Sequence, residues 1–285
     1  MLEVLWVTAV LPALAALATL FALPAIFGRT RGVEALRGGL AVAAGHLAGS
    51  AAIAGWPAWP PVDARSWLFV LTPVAALAGA AVACVSRSSF TRLVACCWSA
   101  LVPPLLLAPR AEHAWRPRQA SGVFFGVALA LALVARALER TAAAVGPGSM
   151  FFGASGLALI GAPLMFFGAS AMFGQLSAVL AACLASLALV AMITGGGSWW
   201  RGAVLPLATL FVLWAATGVF FAELPLSSAL IALVGPVAAG ALAPRMRRPG
   251  RPAARLVTIV LIHVLPACAS LALAWRAYEP VGYSP

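Results

Sequence analysis

Long apolar runs broken by short, arginine-bearing connections make up almost the whole chain. A helix needs about 20 apolar residues to cross the hydrocarbon core of a bilayer. Ten segments approach that length: residues 4–27, 38–56, 66–85, 93–109, 120–137, 142–167, 171–194, 202–222, 226–243 and 256–275. The fourth is the shortest, and Pro103 and Pro104 interrupt its pattern. Residues 141–200 form 60 consecutive positions without a charge, too many for one span and suited to two joined by a turn near 168–175. The alternative, one span plus a re-entrant segment, reverses every later orientation.

Composition turns this pattern into a class. Of 285 residues, 64% are hydrophobic and 9% charged, against about 45–50% and 25% in soluble domains. Mean hydropathy is +1.04. The 26 glycines and 21 prolines suit transmembrane helices, where small residues let backbones approach and neighbouring helices satisfy broken hydrogen bonds. The fold expected is all-α, a polytopic transmembrane helical bundle of about ten spans.

The formal net charge of +11 comes from arginine alone and is scattered through the connections, so it reads as a topology signal rather than a nucleic-acid footprint. With the N-terminus outside, the inner connections hold Arg29, Arg31, Arg37, Arg87, Arg92, Arg136, Arg140, Arg201, Arg245, Arg247, Arg248, Arg251 and Arg255, and the outer ones hold Arg65, Arg110, Arg116, Arg118 and Arg276. Thirteen against five places both termini outside by the positive-inside rule. The cluster of Arg245, Arg247, Arg248, Arg251 and Arg255 is then cytoplasmic, in reach of anionic lipid headgroups. Glu3 is the only charge ahead of the first run, so that run is expected to remain as a span rather than be removed as a signal. Arginine without lysine, beside abundant alanine, reads as a GC-rich bacterial genome and hence a bacterial inner membrane.

Residues 131–139 (LALVARALE) and 271–279 (LALAWRAYE) agree at six of nine positions. Further pairs keep the same order: 17–28 with 157–168, Ser66-Trp67 with Ser198-Trp199, 100–104 (ALVPP) with 232–236 (ALVGP), and LAPR at both 107–110 and 242–245. Collinearity carries the case, because apolar helices resemble one another by composition. Two five-span repeats follow, 1–140 and 141–285, within one membrane domain. Five is odd, so the second copy enters from the opposite side, an inverted repeat of the kind many secondary transporters use, with interrupted helices meeting near the midplane. Pro73 with Pro206, and Pro104 with Pro236, are the candidate interruptions. Ten spans with this symmetry resemble the architecture of the drug/metabolite transporter superfamily. That resemblance implies cytoplasmic termini, which the arginine count opposes, and no diagnostic motif accompanies it.

Candidate chemistry is sparse. His46 lies mid-span beside Ser50, and His263 stands three residues before Pro266, whose ring frees the carbonyl of Ile262. Ionisable groups inside a membrane are candidates for a proton relay or substrate contact. Gly45 with Gly49, and Gly122 with Gly126, form GxxxG faces for helix packing. The tryptophans at 56, 59, 67, 199 and 200 read as interfacial anchors, and the five cysteines as small core residues. No acidic residue lies deep in a span, and no HExxH, G-x-S-x-G or Walker motif is present, so no enzyme, metal or cofactor is expected. Two readings remain. One is a small-molecule permease or exporter whose cavity includes His46, Ser50, Pro73, Pro104, Pro206, Pro236 and His263, for a neutral, amphipathic or lipid-like substrate. The other is a non-catalytic membrane subunit or assembly protein that binds partner helices.

Overall fold

The computed structural model describes residues 2–85, 88–167, 170–246 and 252–278, with the side chains of 88–92 and 252 excepted. Among them, ten long helices and no strand are found. They are α1 (Leu2–Phe27), α2 (Arg31–Ala54), α3 (Ala64–Cys84), α4 (Ser88–Ala114), α5 (Pro117–Val145), α6 (Pro147–Phe167), α7 (Ala171–Thr194), α8 (Trp200–Phe221), α9 (Leu226–Met246) and α10 (Pro252–Ala277). Nine are long and apolar enough to cross a membrane, and the protein is a multi-pass integral membrane protein.

The exception is α2. It is 24 residues long but carries Arg31, Glu34, Arg37, His46 and five glycines. Its low hydropathy is tolerable because the helix packs between α1, α3, α7 and α8 instead of facing lipid. The centre of the bundle is α8, 78% buried over its most apolar window, with α2, α3 and α5 around it. The corresponding window of α1 is only 17% buried, which leaves that helix at the rim.

Residues 141–200 resolve into two full helices: α5 ends at Gly146, and α6 and α7 pack along each other as the most extensive pair in the bundle. The sixth span therefore begins at Pro147 rather than at 142, and a division after residue 140 falls inside α5. The described part of the expected turn at 168–175 is short: Ser170 caps α7 by accepting from the Phe173 N–H. The fourth segment, short by hydropathy, is a helix of 27 residues that runs through Pro103, Pro104 and Pro109.

Contacts between connections show which ends share a face. Arg37 approaches the Gly197 turn and Pro147 lies against Gly196, so the α1–α2, α5–α6 and α7–α8 connections lie together. At the other end Arg110 Nε donates to the Phe220 carbonyl at 2.9 Å, Trp115 meets Phe220 edge-on, and Phe167 meets Trp275. Ten alternating helices thus bring Leu2 and Tyr278, the outermost described residues, to this second face.

Prolines do not break these helices. Pro73, Pro104, Pro206 and Pro236 each sit inside a continuous helix, correcting their reading as interruptions. Pro206 leaves the Gly202 carbonyl without its helical N–H donor. That oxygen is met by two glycines: a Cβ at Gly39 of α2 would stand 2.7 Å from it, and one at Gly79 of α3 2.5 Å. The α-hydrogens of Gly39 and Gly79 occupy that space and offer weak C–H donors to the orphaned oxygen. The Ile262 carbonyl freed by Pro266 faces Gly235 in the same way, at 3.2 Å from a built Cβ. In α1 a widened turn at Trp6–Val10 precedes Pro12, relieving its clash with the carbonyl of residue 8.

Candidate functional site

A cavity of about 520 Å³ opens where α1, α2, α7 and the α7–α8 turn converge, on the face opposite Leu2 and Tyr278. Its volume lies within the range of small-molecule sites, about 300–1,000 Å³. One wall is apolar, formed by Leu20, Phe21 and Pro24 of α1 with Val190 of α7. Another part of the lining is charged, with Arg29, Glu34 and Arg37. Thr194, Ser198 and Trp199 complete the lining. The walls come from both halves of the chain.

Local sequence explains the shape. Thr30 caps α2 by accepting from the Val33 N–H, which starts the helix so that Glu34 falls in its first turn. A carboxylate there is favoured by the helix dipole. Arg37, one turn on, pairs with Glu34 at 2.7 Å, both side chains being largely buried. Across the cavity, Gly195, Gly196 and Gly197 all have positive φ, of 72°, 85° and 49°. Only glycine adopts three such conformations in succession without strain. That turn carries the chain from α7 to Ser198 and Trp199.

Trp199 is 1% exposed and stacks on Phe151 at 5.5 Å, and the backbone of Gly38 packs against its carbonyl. It is a core plug, not the interfacial anchor expected. Trp200 is buried too, whereas Trp56 and Trp59 are exposed near a helix end, as anchors are. The cysteines divide likewise: Cys183 is buried, but Cys96, Cys97 and Cys268 lie on the outer surface, and all five are free thiols. They are not a common set of core residues.

The electrostatics of the cavity are unequal. Arg29 repels Arg37, and Glu34 offsets that repulsion for one of the two guanidiniums. Two cations therefore stand near one carboxylate, which is paired with Arg37. The Nε of Arg37 is buried with no hydrogen-bond partner among the described residues.

The residues singled out from sequence lie elsewhere, and the structure does not gather them into one site. His46 and Ser50 are one turn apart on α2, both buried, and the Nδ1 of one and the Oγ of the other lack partners. His263 is buried on α10 beside Gly153 of α6 and Gly235 of α9. Its Nδ1 lies 2.9 Å from the Ile259 carbonyl, so Nδ1 carries the proton and donates, and Nε2 is left as an unpartnered acceptor. Neither histidine lines the large cavity. Pro206 and Pro236 are buried, while Pro73 and Pro104 are half-buried. Gly45 and Gly49 pack within the chain: a Cβ would reach Cys183 Sγ at 2.6 Å and Val179 at 2.5 Å. Gly122 and Gly126 face open space. Of the basic cluster, Arg245 is exposed and Arg255 half-buried, and Arg247, Arg248 and Arg251 lie outside the described residues.

A second, smaller void lies between α6, α7, α8 and α9. It is lined by Ser177, Phe211 and Trp214 among others, with room for about one water. The indole Nε1 of Trp214 has no partner in the fold. The Ser177 hydroxyl donates to the Ala158 carbonyl at 2.7 Å and keeps lone pairs free.

Arg29 and Arg37 were legible in the sequence only as topology markers and Trp199 as an anchor, and the sequence did not single out Glu34. The signals that point to them are the Glu34–Arg37 spacing and the triple glycine, neither decisive until the fold opposes them. The chain matches no protein-family model and no curated protein.

Proposed function

We propose that the protein is a permease or exporter of small amphipathic molecules, and that the cavity between α1, α2 and α7 is the entry to its route. The single supporting observation is that this cavity is walled by helices from both halves of the chain and has an apolar part and a charged part. A two-repeat carrier places its site at such a junction. The packing is compatible with the repeat in part. The pairs α1–α2 and α6–α7 match, as do α4–α5 and α9–α10, and α2–α7 and α3–α8 meet across the halves. The α6–α10 contact has no counterpart between α1 and α5. The arginine distribution supports a cytoplasmic mouth and external termini in a bacterial inner membrane.

The test is flux of amphipathic compounds into vesicles containing the purified chain, with gradients imposed in both directions. Flux above protein-free vesicles is expected, and Ser198→Trp, which fills the mouth, should reduce it roughly tenfold. If no compound moves faster than in protein-free vesicles, the reading fails. A second reading, a subunit that binds partner helices, is favoured by one face of α5. There Gly122 and Gly126 meet nothing, and Phe125, Leu129 and Leu133 are exposed. It requires a particle heavier than one chain, extracted with surrounding lipid, and no flux. A flux-competent monomer retires it.

A further inference from the structure

We propose that the cavity holds the anionic headgroup of an amphiphile, a phosphate or carboxylate, between Arg29 and Arg37, with its hydrocarbon along Phe21, Pro24 and Ala25. The proposal deepens the permease reading and rests on it only in the choice of cavity.

Charge is the first argument. Arg29, Arg37 and Glu34 leave the lining with one excess positive charge. Glu34 engages one terminal nitrogen of Arg37, and the Nε has no hydrogen-bond partner among the described residues. Guanidinium presents five donors in a planar fork matched to carboxylate and phosphate oxygens, so Arg37 retains donors for a second anion. Arg29 forms no ion pair among the described residues and is exposed at the mouth. An anion between them relieves the repulsion between the two cations.

The second argument is shape. A bare phosphate leaves most of 520 Å³ empty. The remaining space is lined by Phe21, Pro24 and Ala25 of α1, and Phe21 is 54% exposed. A polar end beside an apolar wall fits a molecule with a head and a tail. Sequence composition pointed to a neutral, amphipathic or lipid-like ligand, because the spans offer few countercharges. The cavity supplies that countercharge at its mouth.

The experiment uses the full chain in micelles of a non-ionic detergent doped with phosphatidylglycerol or phosphatidylcholine, with retained lipid counted by native mass spectrometry. Retention of phosphatidylglycerol roughly tenfold tighter than phosphatidylcholine is expected. Arg29→Gln, at a side chain with no hydrogen bond or ion pair among the described residues, should weaken it several-fold. Arg37→Lys, which keeps charge but loses the fork, should also weaken it. Arg245→Gln, in the other basic region, should not. In a further arm, displacement by millimolar inorganic phosphate assigns a free anion as the source, and resistance to it assigns an amphiphile. Equal retention of the two lipids overturns the proposal. So does unchanged retention in both cavity variants, or loss in Arg245→Gln instead, which marks diffuse attraction to a basic surface. Flux with the same variants separates the two conclusions: binding without flux retires the permease reading and keeps the site, and flux without lipid preference does the reverse.

Discussion

Buried polar side chains within the spans fall into two kinds. Thr209 accepts from Trp98 Nε1 at 2.9 Å across α4 and α8, while its own hydroxyl donates to the Leu205 carbonyl at 2.8 Å. Ser270 on α10 likewise donates to the Ser228 carbonyl on α9 at 2.6 Å. Ser50, by contrast, has no partner. Removing a partner costs the desolvation of the group left behind, whereas removing an unpartnered group does not. Thr209→Val should therefore destabilise the protein by about 1–3 kcal/mol, and Ser50→Ala should be neutral or slightly stabilising. Thermal unfolding in detergent measures both. An equal loss for Ser50→Ala would show that its hydroxyl is engaged by a bound molecule. Sequence placed His46 and Ser50 on one helix face correctly, since spacing of four fixes that. It did not show that the two lack partners, because partners belong to other helices.

Helices in this bundle meet through backbone as much as through side chains. Gly39, Gly79 and Gly202 bring α2, α3 and α8 together around the carbonyl that Pro206 frees, and a Cβ at Gly202 would overlap the Ala35 carbonyl. Backbone cannot swing aside as a side-chain end can, so Gly202→Ala should cost about 3 kcal/mol, at the upper end of overpacking in a close-packed core. Gly122→Ala meets open space and should be neutral or stabilise by about 0.5–1 kcal/mol through helix propensity. The same melts test both, and equal effects would refute the close-packed contact. Hydropathy placed all ten helices within a few residues in most cases. It failed at α4 because prolines and Arg110 depress the apolar average without ending the helix, and at the α5–α6 junction because Gly146 breaks a stretch that stays apolar on both sides. The paired prolines were visible as a pattern, but whether they interrupt a helix depends on what meets the freed carbonyl.

At the scale of the whole molecule, ten alternating helices set the α7–α8 turn on the face opposite Leu2 and Tyr278. Reporter fusions in a bacterial host should show residues near Gly250 on the cytoplasmic side, with the C-terminus on the other. Both reporting the same side would overturn the alternation, and the reverse assignment would overturn the orientation read from arginine. The nine-residue match that first indicated a duplication has a local basis in the first copy, where Arg136 and Glu139 form an exposed ion pair at 2.7 Å. Its second copy ends at Glu279, outside the described residues. Sequence alone determined the membrane class and the number of long helices. Each follows from the cost of placing backbone and charge in hydrocarbon, a property of single segments. Only the tertiary structure decided which polar groups form a cavity. Arg29 and Glu34 belong to one end of the chain and Ser198 and Trp199 lie well over a hundred residues later, and a site built from non-neighbouring helices is fixed by packing that no single segment encodes.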